Sequence, residues 1–224
     1  LIILESTSSV GTTEHITSML RQFRPDLKFP VYGSGGSDID VHIAYCPERV
    51  LPGRVLEELI TNDRIIGGIT ATCGLKAKCF YSSFVKGNCI VTDARTAELC
   101  KLSENAFRDV NIAFANELSM ICDDNDINVW DLIDIANHHP RVNILKPGTG
   151  VGGHCIAVDP WFIISENLEK SVLMKTSREV NKNKTKWVVN QIINKARELN
   201  IDNIICPLKY CSVYIGLFQN HNLS

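Results

Sequence analysis

From Ala94 to about Asp123 the chain runs for thirty residues without a proline or a glycine. Apolar residues recur at positions 99, 102, 106, 107, 110, 114, 118 and 121, close to the 3.6-residue period of an α-helix. Such a helix is ~45 Å long at ~1.5 Å per residue. That exceeds what one globular layer needs, and it predicts a spine joining domains or subunits. Lys101, Asn105 and Arg108 fall on one side of it at i, i+4, i+7 spacing, and Asn111 and Asn116 add further polar positions. A solvated helix face would account for them. Against that reading, Lys101 and Asn105 are interleaved with strongly apolar neighbours.

The stretch before the spine alternates short apolar runs with helical patterns. Leu1-Ile2-Ile3-Leu4 has the all-apolar composition of a strand buried on both faces. A Ser/Thr/Gly turn and a helix through Phe23 follow it. Val41 to Cys46, Arg64 to Ile69 and Asn88 to Thr92 predict further strands, with helices over 54–62 and 71–84. This alternation predicts an α/β fold with a mostly parallel, Rossmann-type sheet. Ligands in such folds sit at the carboxyl ends of strands, where Thr7 and Glu48 both fall. Thr7 has two open roles, contacting a ligand or capping the following helix.

After the spine, Asn128 to Asn137 and Leu173 to about Leu199 read as helices. Between them lies Gly148-Thr149-Gly150-Val151-Gly152-Gly153-His154-Cys155, with Asp159 four residues on. Four glycines in six residues let backbone approach a ligand closely. If Cys155 opens a helix, Asp159 lies one turn along on the same face, and the helix start favours a thiolate. A cysteine nucleophile with a nearby carboxylate is one reading. A glycine-rich turn before a buried structural cysteine is the other.

The totals narrow the field. The 224 residues are 45% hydrophobic and 21% charged, with a formal net charge of −2, so no polyanion-binding surface is indicated and nucleic acid is not an expected partner. The nine cysteines form no CxxC pair. His154-Cys155 lacks partners at zinc spacing, so no metal site is expected. The thiols read as reduced, which predicts a cytoplasmic location. No apolar run approaches the ~20 residues of a membrane span.

Three segments carry a resemblance: Tyr45-Cys46-Pro47-Glu48-Arg49-Val50-Leu51-Pro52-Gly53, Lys101-Leu102-Ser103-Glu104-Asn105, and Gly152-Gly153-His154-Cys155 through Asp159-Pro160-Trp161-Phe162. With them the chain resembles the UDP-glucose/GDP-mannose dehydrogenase family, over roughly residues 1 to 206 in order. The resemblance implies oxidation of the C6 hydroxyl of a nucleotide sugar to a carboxylate with two NAD, serving cell-surface polysaccharide synthesis. Asn105 through Leu118 and His139 through Leu145 resemble the branch acting on UDP-N-acetyl-D-mannosamine. UDP-glucose and UDP-N-acetylglucosamine are the alternatives.

The resemblance also implies roles. Cys155 is the nucleophile, forming a thiohemiacetal and then a thioester. Lys101 stabilises the oxyanion with support from Asn105. Asp159 orients or deprotonates water and tunes the cysteine, and Glu48 holds water or takes a proton. Thr7, with Glu48, belongs beside the nicotinamide. Arg141 and Lys146 contact sugar and diphosphate, and Gly152 and Gly153 offer backbone donors. A homodimer through the 94–123 helix is implied as well.

Some features depart from the family pattern. No GxGxxG turn stands in a strand–turn–helix setting, Ser9 replaces a usual proline, and the match fails at about Pro207. The expectation is therefore a fragment. Residues 1–93 would be the C-terminal half of an NAD-binding domain. Residues 94–200 would be a mainly helical central, dimerising domain. Residues 201–224 would be the first strand of a UDP-binding domain plus an aberrant tail. A catalytically inactive truncated product is the competing expectation.

Overall fold

A computed structural model of the chain describes residues 1–35, 38–50, 53–199 and 201. The strand expected at Asn203–Cys206, and the tail after it, lie outside the described residues. Two compact units divide the chain, Leu1–Glu104 and Asn105–Ser224.

The first unit is a sheet of four strands in the order β1 (Ile2–Leu4), β2 (Ile43–Tyr45), β3 (Arg64–Gly68), β4 (Cys89–Asp93). Helices α1 (Thr12–Phe23), α2 (Val55–Thr61) and α3 (Ala71–Tyr81) alternate with the strands. The β1/β2 and β3/β4 pairs are parallel, but β2 and β3 are antiparallel, with Ala44 opposite Gly68 and Tyr45 opposite Gly67. A helix between two strands is the usual sign of a parallel crossover. Here α2 has only 7 residues, ~10 Å of helix, and the chain re-enters the sheet at the end it left.

Side chains alternate across β2. Ala44 and Cys46 pack with Ile66, Ala77, Tyr81 and Val85, whereas Ile43 packs with Phe29, Ile69 and Ala94. The first strand is not buried on both faces as its composition suggests. It stands at the end of the strand order, and Leu1 and Ile2 are exposed.

Helix α4 runs from Ala94 to Asp124, 31 residues, as the periodicity predicts. It serves two faces. Ala97, Glu98, Leu102, Asn105, Ala106, Asp109, Ala113 and Asn116 are buried. Leu99, Phe107, Phe114 and Ile121 are 45%, 70%, 56% and 53% exposed, so half of the eight apolar positions face away from the chain's own core.

In the second unit, α5 (Val129–Ala136) and α7 (Val172–Glu198) match the helical patterns in the sequence. Helix α6 (Asp159–Glu166) starts later than an opening at Cys155 would require. Pro160 holds one of its first two positions, where the missing N–H costs nothing. Residues 155–158 form the turn that leads into it.

Candidate active site

Strand order places the candidate residues of the first unit. Because β1 and β2 are parallel neighbours, the segments leaving their carboxyl ends stay side by side. The Cys46 N–H donates to the Leu4 carbonyl at 2.8 Å, and the Glu48 N–H to the Glu5 carbonyl at 3.2 Å. Thr7 and Glu48 therefore lie on adjacent segments beyond the carboxyl ends of β1 and β2.

The Glu48 carboxylate is fixed twice. It accepts from the Arg49 N–H at 2.8 Å and from the Arg64 guanidinium at 3.2 and 3.4 Å. Arg64 is 2% exposed, lies over the Tyr81 ring and also donates to the Leu59 carbonyl. A buried guanidinium needs an anion, and Glu48 supplies it while keeping a third of its side chain exposed. Lys101 is half-buried on α4 in the same unit.

The glycine run belongs to the second unit. The Gly148 N–H donates to Asn116 Oδ1 at 2.8 Å, which ties the start of the run to α4. Gly150 has φ +138°, and a Cβ there would fall 2.2 Å from Thr185 Oγ1 on α7. Both the backbone angle and the close approach to α7 demand glycine at that position.

Beyond the run, the Cys155 carbonyl accepts the Val158 and Asp159 N–H groups at 3.0 and 2.8 Å. This turn presents the Cys155 side chain to solvent. Among the described cysteines, Cys46, Cys73 and Cys122 are buried instead, and burial pushes the Cys46 thiol up to about 11. Asp159 opens α6 and is 4% exposed. Its Oδ2 accepts from the Asn105 side-chain amide at 2.5 Å. The Asn105 amide thus engages Asp159, a partner that the sequence reading did not assign to it.

Arg141 and Lys146 are both exposed, as are Gly152 and Gly153. The segment carrying the two basic residues is shaped by Asn137, whose side chain bonds both the N–H and the carbonyl of Ile144 at 2.7 and 3.1 Å. Among the described residues no cluster of His, Cys, Asp or Glu could hold a metal ion.

A buried polar chain supports the glycine run from below, and sequence reasoning missed most of it. Asn116 Nδ2 donates to Asn181 Oδ1 at 2.8 Å, Asn181 Nδ2 to Asp109 Oδ1 at 2.8 Å, and the Arg178 guanidinium to Asp109 Oδ1 at 2.5 Å. Burial pushes the Asp109 carboxyl above its ordinary value, against the opposing pull of Arg178 and Asn181. The available signal was the spacing of Asn105, Asp109 and Asn116, which puts three polar residues on the buried face of α4.

Two family models match this chain. Residues 1–85 match the one described as the UDP-glucose/GDP-mannose dehydrogenase family, NAD binding domain. Residues 95–184 match the same family's central domain.

The chain belongs to the UDP-glucose/GDP-mannose dehydrogenase family.

Among its relatives, the UDP-N-acetyl-D-mannosamine dehydrogenase of Salmonella typhi is 62% identical over 192 residues, covering 86% of this chain and 45% of that protein. The NDP-N-acetyl-D-galactosaminuronic acid dehydrogenase of Ralstonia nicotianae is 59% identical over 206 residues, 92% of this chain and 48% of that one. A solved UDP-D-ManNAc dehydrogenase from Pyrococcus horikoshii superimposes with a TM-score of 0.81 at 40% identity, covering 90% of this chain and 46% of that structure. The chain thus spans about half the length of the family members it matches. No helix among the described residues is long and apolar enough to cross a membrane.

Proposed function

We propose that the protein containing this chain oxidises the C6 hydroxyl of UDP-N-acetyl-D-mannosamine to the uronate, with NAD as oxidant and Cys155 as covalent nucleophile. The carrying observation is the Asn105–Asp159 bond at the base of the turn that exposes Cys155. It anchors a buried carboxylate one turn from an accessible thiol, the pairing that covalent capture and later hydrolysis require.

The residues present fit the nicotinamide end of the dinucleotide. Thr7 and Glu48 stand at neighbouring strand ends, and the Ser8 hydroxyl between them and α1 is buried without a hydrogen-bond partner among the described residues. NAD, when bound, accepts the two hydrides, one per dinucleotide. Cys155 adds through sulfur to the C6 aldehyde, giving a thiohemiacetal. Oxidation of that adduct leaves a thioester, which water hydrolyses to carboxylate and free thiol. Lys101 stabilises the oxyanion formed at each addition. Asp159 and Glu48 hold water or take its proton. Arg141, Lys146 and the Gly152-Gly153 backbone bind sugar and diphosphate. The product suits a route to cell-surface polysaccharide, and a cytoplasmic location agrees with the free thiols among the described residues.

Self-association is part of this reading. Phe107, Phe114 and Ile121 recur every seven residues along α4 and stay exposed, a stripe suited to a second copy of the same helix.

A galacto-configured substrate is the second reading, favoured by the identity to the Ralstonia nicotianae protein. The deciding experiment is NAD reduction by the full-length protein with each UDP-N-acetyl sugar and with UDP-glucose. Turnover fastest with UDP-N-acetyl-D-mannosamine is the expected result. Cys155→Ser must abolish acid formation while sugar binding persists. Full turnover by that variant would refute the nucleophile assignment, and no turnover of any sugar by the wild type would refute the activity.

A further inference from the structure

Helix α1 follows the Thr7 turn, yet it carries no cap of its own. Its N-cap position is Gly11, in the left-handed region at φ +91°, with no side chain to accept the free N–H groups. The acceptor comes from far along the chain. Glu98, on the first turns of α4, is completely buried. Its Oε2 accepts the Gly11 N–H at 2.6 Å, and its Oε1 accepts the Thr13 N–H at 2.8 Å and the Thr13 hydroxyl at 2.6 Å. Thr13 itself is completely buried. The helix dipole adds to these donors, which is how a carboxylate is tolerated in the core.

The chain between this cap and Thr7 has little slack. The Ser9 carbonyl accepts both the Thr12 N–H at 3.2 Å and the Thr12 hydroxyl at 2.8 Å. At its other end the turn leaves β1 directly. Arg95 on α4 adds a second tie to α1, pairing with Glu14 at 2.6 Å. Lys101 lies three residues beyond Glu98, one turn along the same helix.

We propose that Glu98 is a positioning residue for the dehydrogenase reaction. Through the capped start of α1 it holds the Thr7 turn in the shape that receives the nicotinamide end of NAD, in fixed register with Lys101 on the same helix. This rests on the dehydrogenase reading above. A helix cap that serves folding alone would leave cofactor and sugar affinity equally affected, whereas a device acting on the Thr7 turn acts on NAD.

The test uses the full-length protein with NAD and UDP-N-acetyl-D-mannosamine. Glu98→Gln keeps the volume but turns an N–H donor toward one of the N–H groups now bonded. The KM for NAD is expected to rise about tenfold, the effect of one unsatisfied buried donor on an equilibrium. The KM for the sugar and kcat should stay within about twofold of wild type on the same reasoning. Amide hydrogen exchange should accelerate at Gly11 and Thr13 and not along α7. Thr13→Val removes one of the donors and should shift the KM for NAD in the same direction by less, while Thr13→Ser restores it. An unchanged KM for NAD in both Glu98→Gln and Thr13→Val would overturn the proposal. So would a parallel loss of both affinities together with the thermal midpoint. A wild type that reduces no NAD with any UDP-sugar sinks the dehydrogenase reading and this proposal with it. An active wild type with indifferent variants sinks only the role of Glu98.

Discussion

The side-chain amide of Asn105 donates to the carboxylate of Asp159 across 2.5 Å, although 54 positions separate them in the chain. The bond pins the first turn of α6 to α4, and with it the turn that carries Cys155. Asn105→Ala leaves the buried carboxylate short of a donor and should cost about 1–3 kcal/mol in stability. Asn105→Asp sets two carboxylates against each other and should cost more. Chemical denaturation ranks the two variants, and kcat should fall in the same order. Equal stability of all three proteins would show that the bond contributes nothing to the fold.

Arg178 and Asp109 form a buried pair that bears on the glycine run through Asn181 and Asn116. Removing one partner of such a pair typically costs about 3–5 kcal/mol. Arg178→Met is therefore expected to be severely destabilised near neutral pH. Because the folded Asp109 carboxyl sits above its ordinary value of 3.8, its contribution to stability is greatest below that value and is lost as pH rises through the folded value. Arg178→Met removes the group that opposes this rise, so the variant should recover stability on acidification relative to wild type. Unfolding midpoints measured as a function of pH supply the check.

Gly150 meets Thr185 where a methyl group would not fit. Gly150→Ala adds both a clash and an unfavourable φ, and should lose about 1–3 kcal/mol. Adding Thr185→Ala relieves the clash but not the backbone strain, so the double variant should recover only part of the loss. Complete recovery in thermal unfolding would mean that the angle is unimportant.

Asp93 shows the opposite titration. Burial pushes its carboxyl up, but hydrogen bonds from Thr96 and Tyr32 outweigh that and hold it at about 2. Its stabilising effect is present above the ordinary value of 3.8 and is lost as pH falls through about 2. Asp93→Asn should flatten the acid side of the stability curve over that window. A wild-type slope in the variant would contradict the assignment.

Phe107, Phe114 and Ile121 predict a helix-mediated dimer. Phe114→Glu puts a charge in the centre of the stripe and should yield a monomer by light scattering with the fold intact by circular dichroism. A dimer that survives this change lies elsewhere on the surface.

The long helix, the strand–helix alternation and the Gly/Cys/Asp spacing were all legible in the sequence, because each depends on residues close together in the chain. Periodicity gave α4 to within one residue at its end. It could not say which part of the apolar pattern would be covered, since Leu102 and Phe107 look alike until the fold buries one and exposes the other. Nor could it orient β3, because a helix between strands reads the same whether the chain crosses the sheet or turns back.

What the sequence determined by itself is chemistry and local form: a thiol four residues ahead of a carboxylate, a glycine run where backbone can come close, and strand ends bearing Thr7 and Glu48. Only the tertiary structure decided the partners. It gave Asn105 to Asp159, the start of α1 to Glu98, and the glycine run to Asn116. The physical reason is that a buried polar group must find a matching donor or acceptor wherever the fold brings one, and separation along the chain carries no information about where that is.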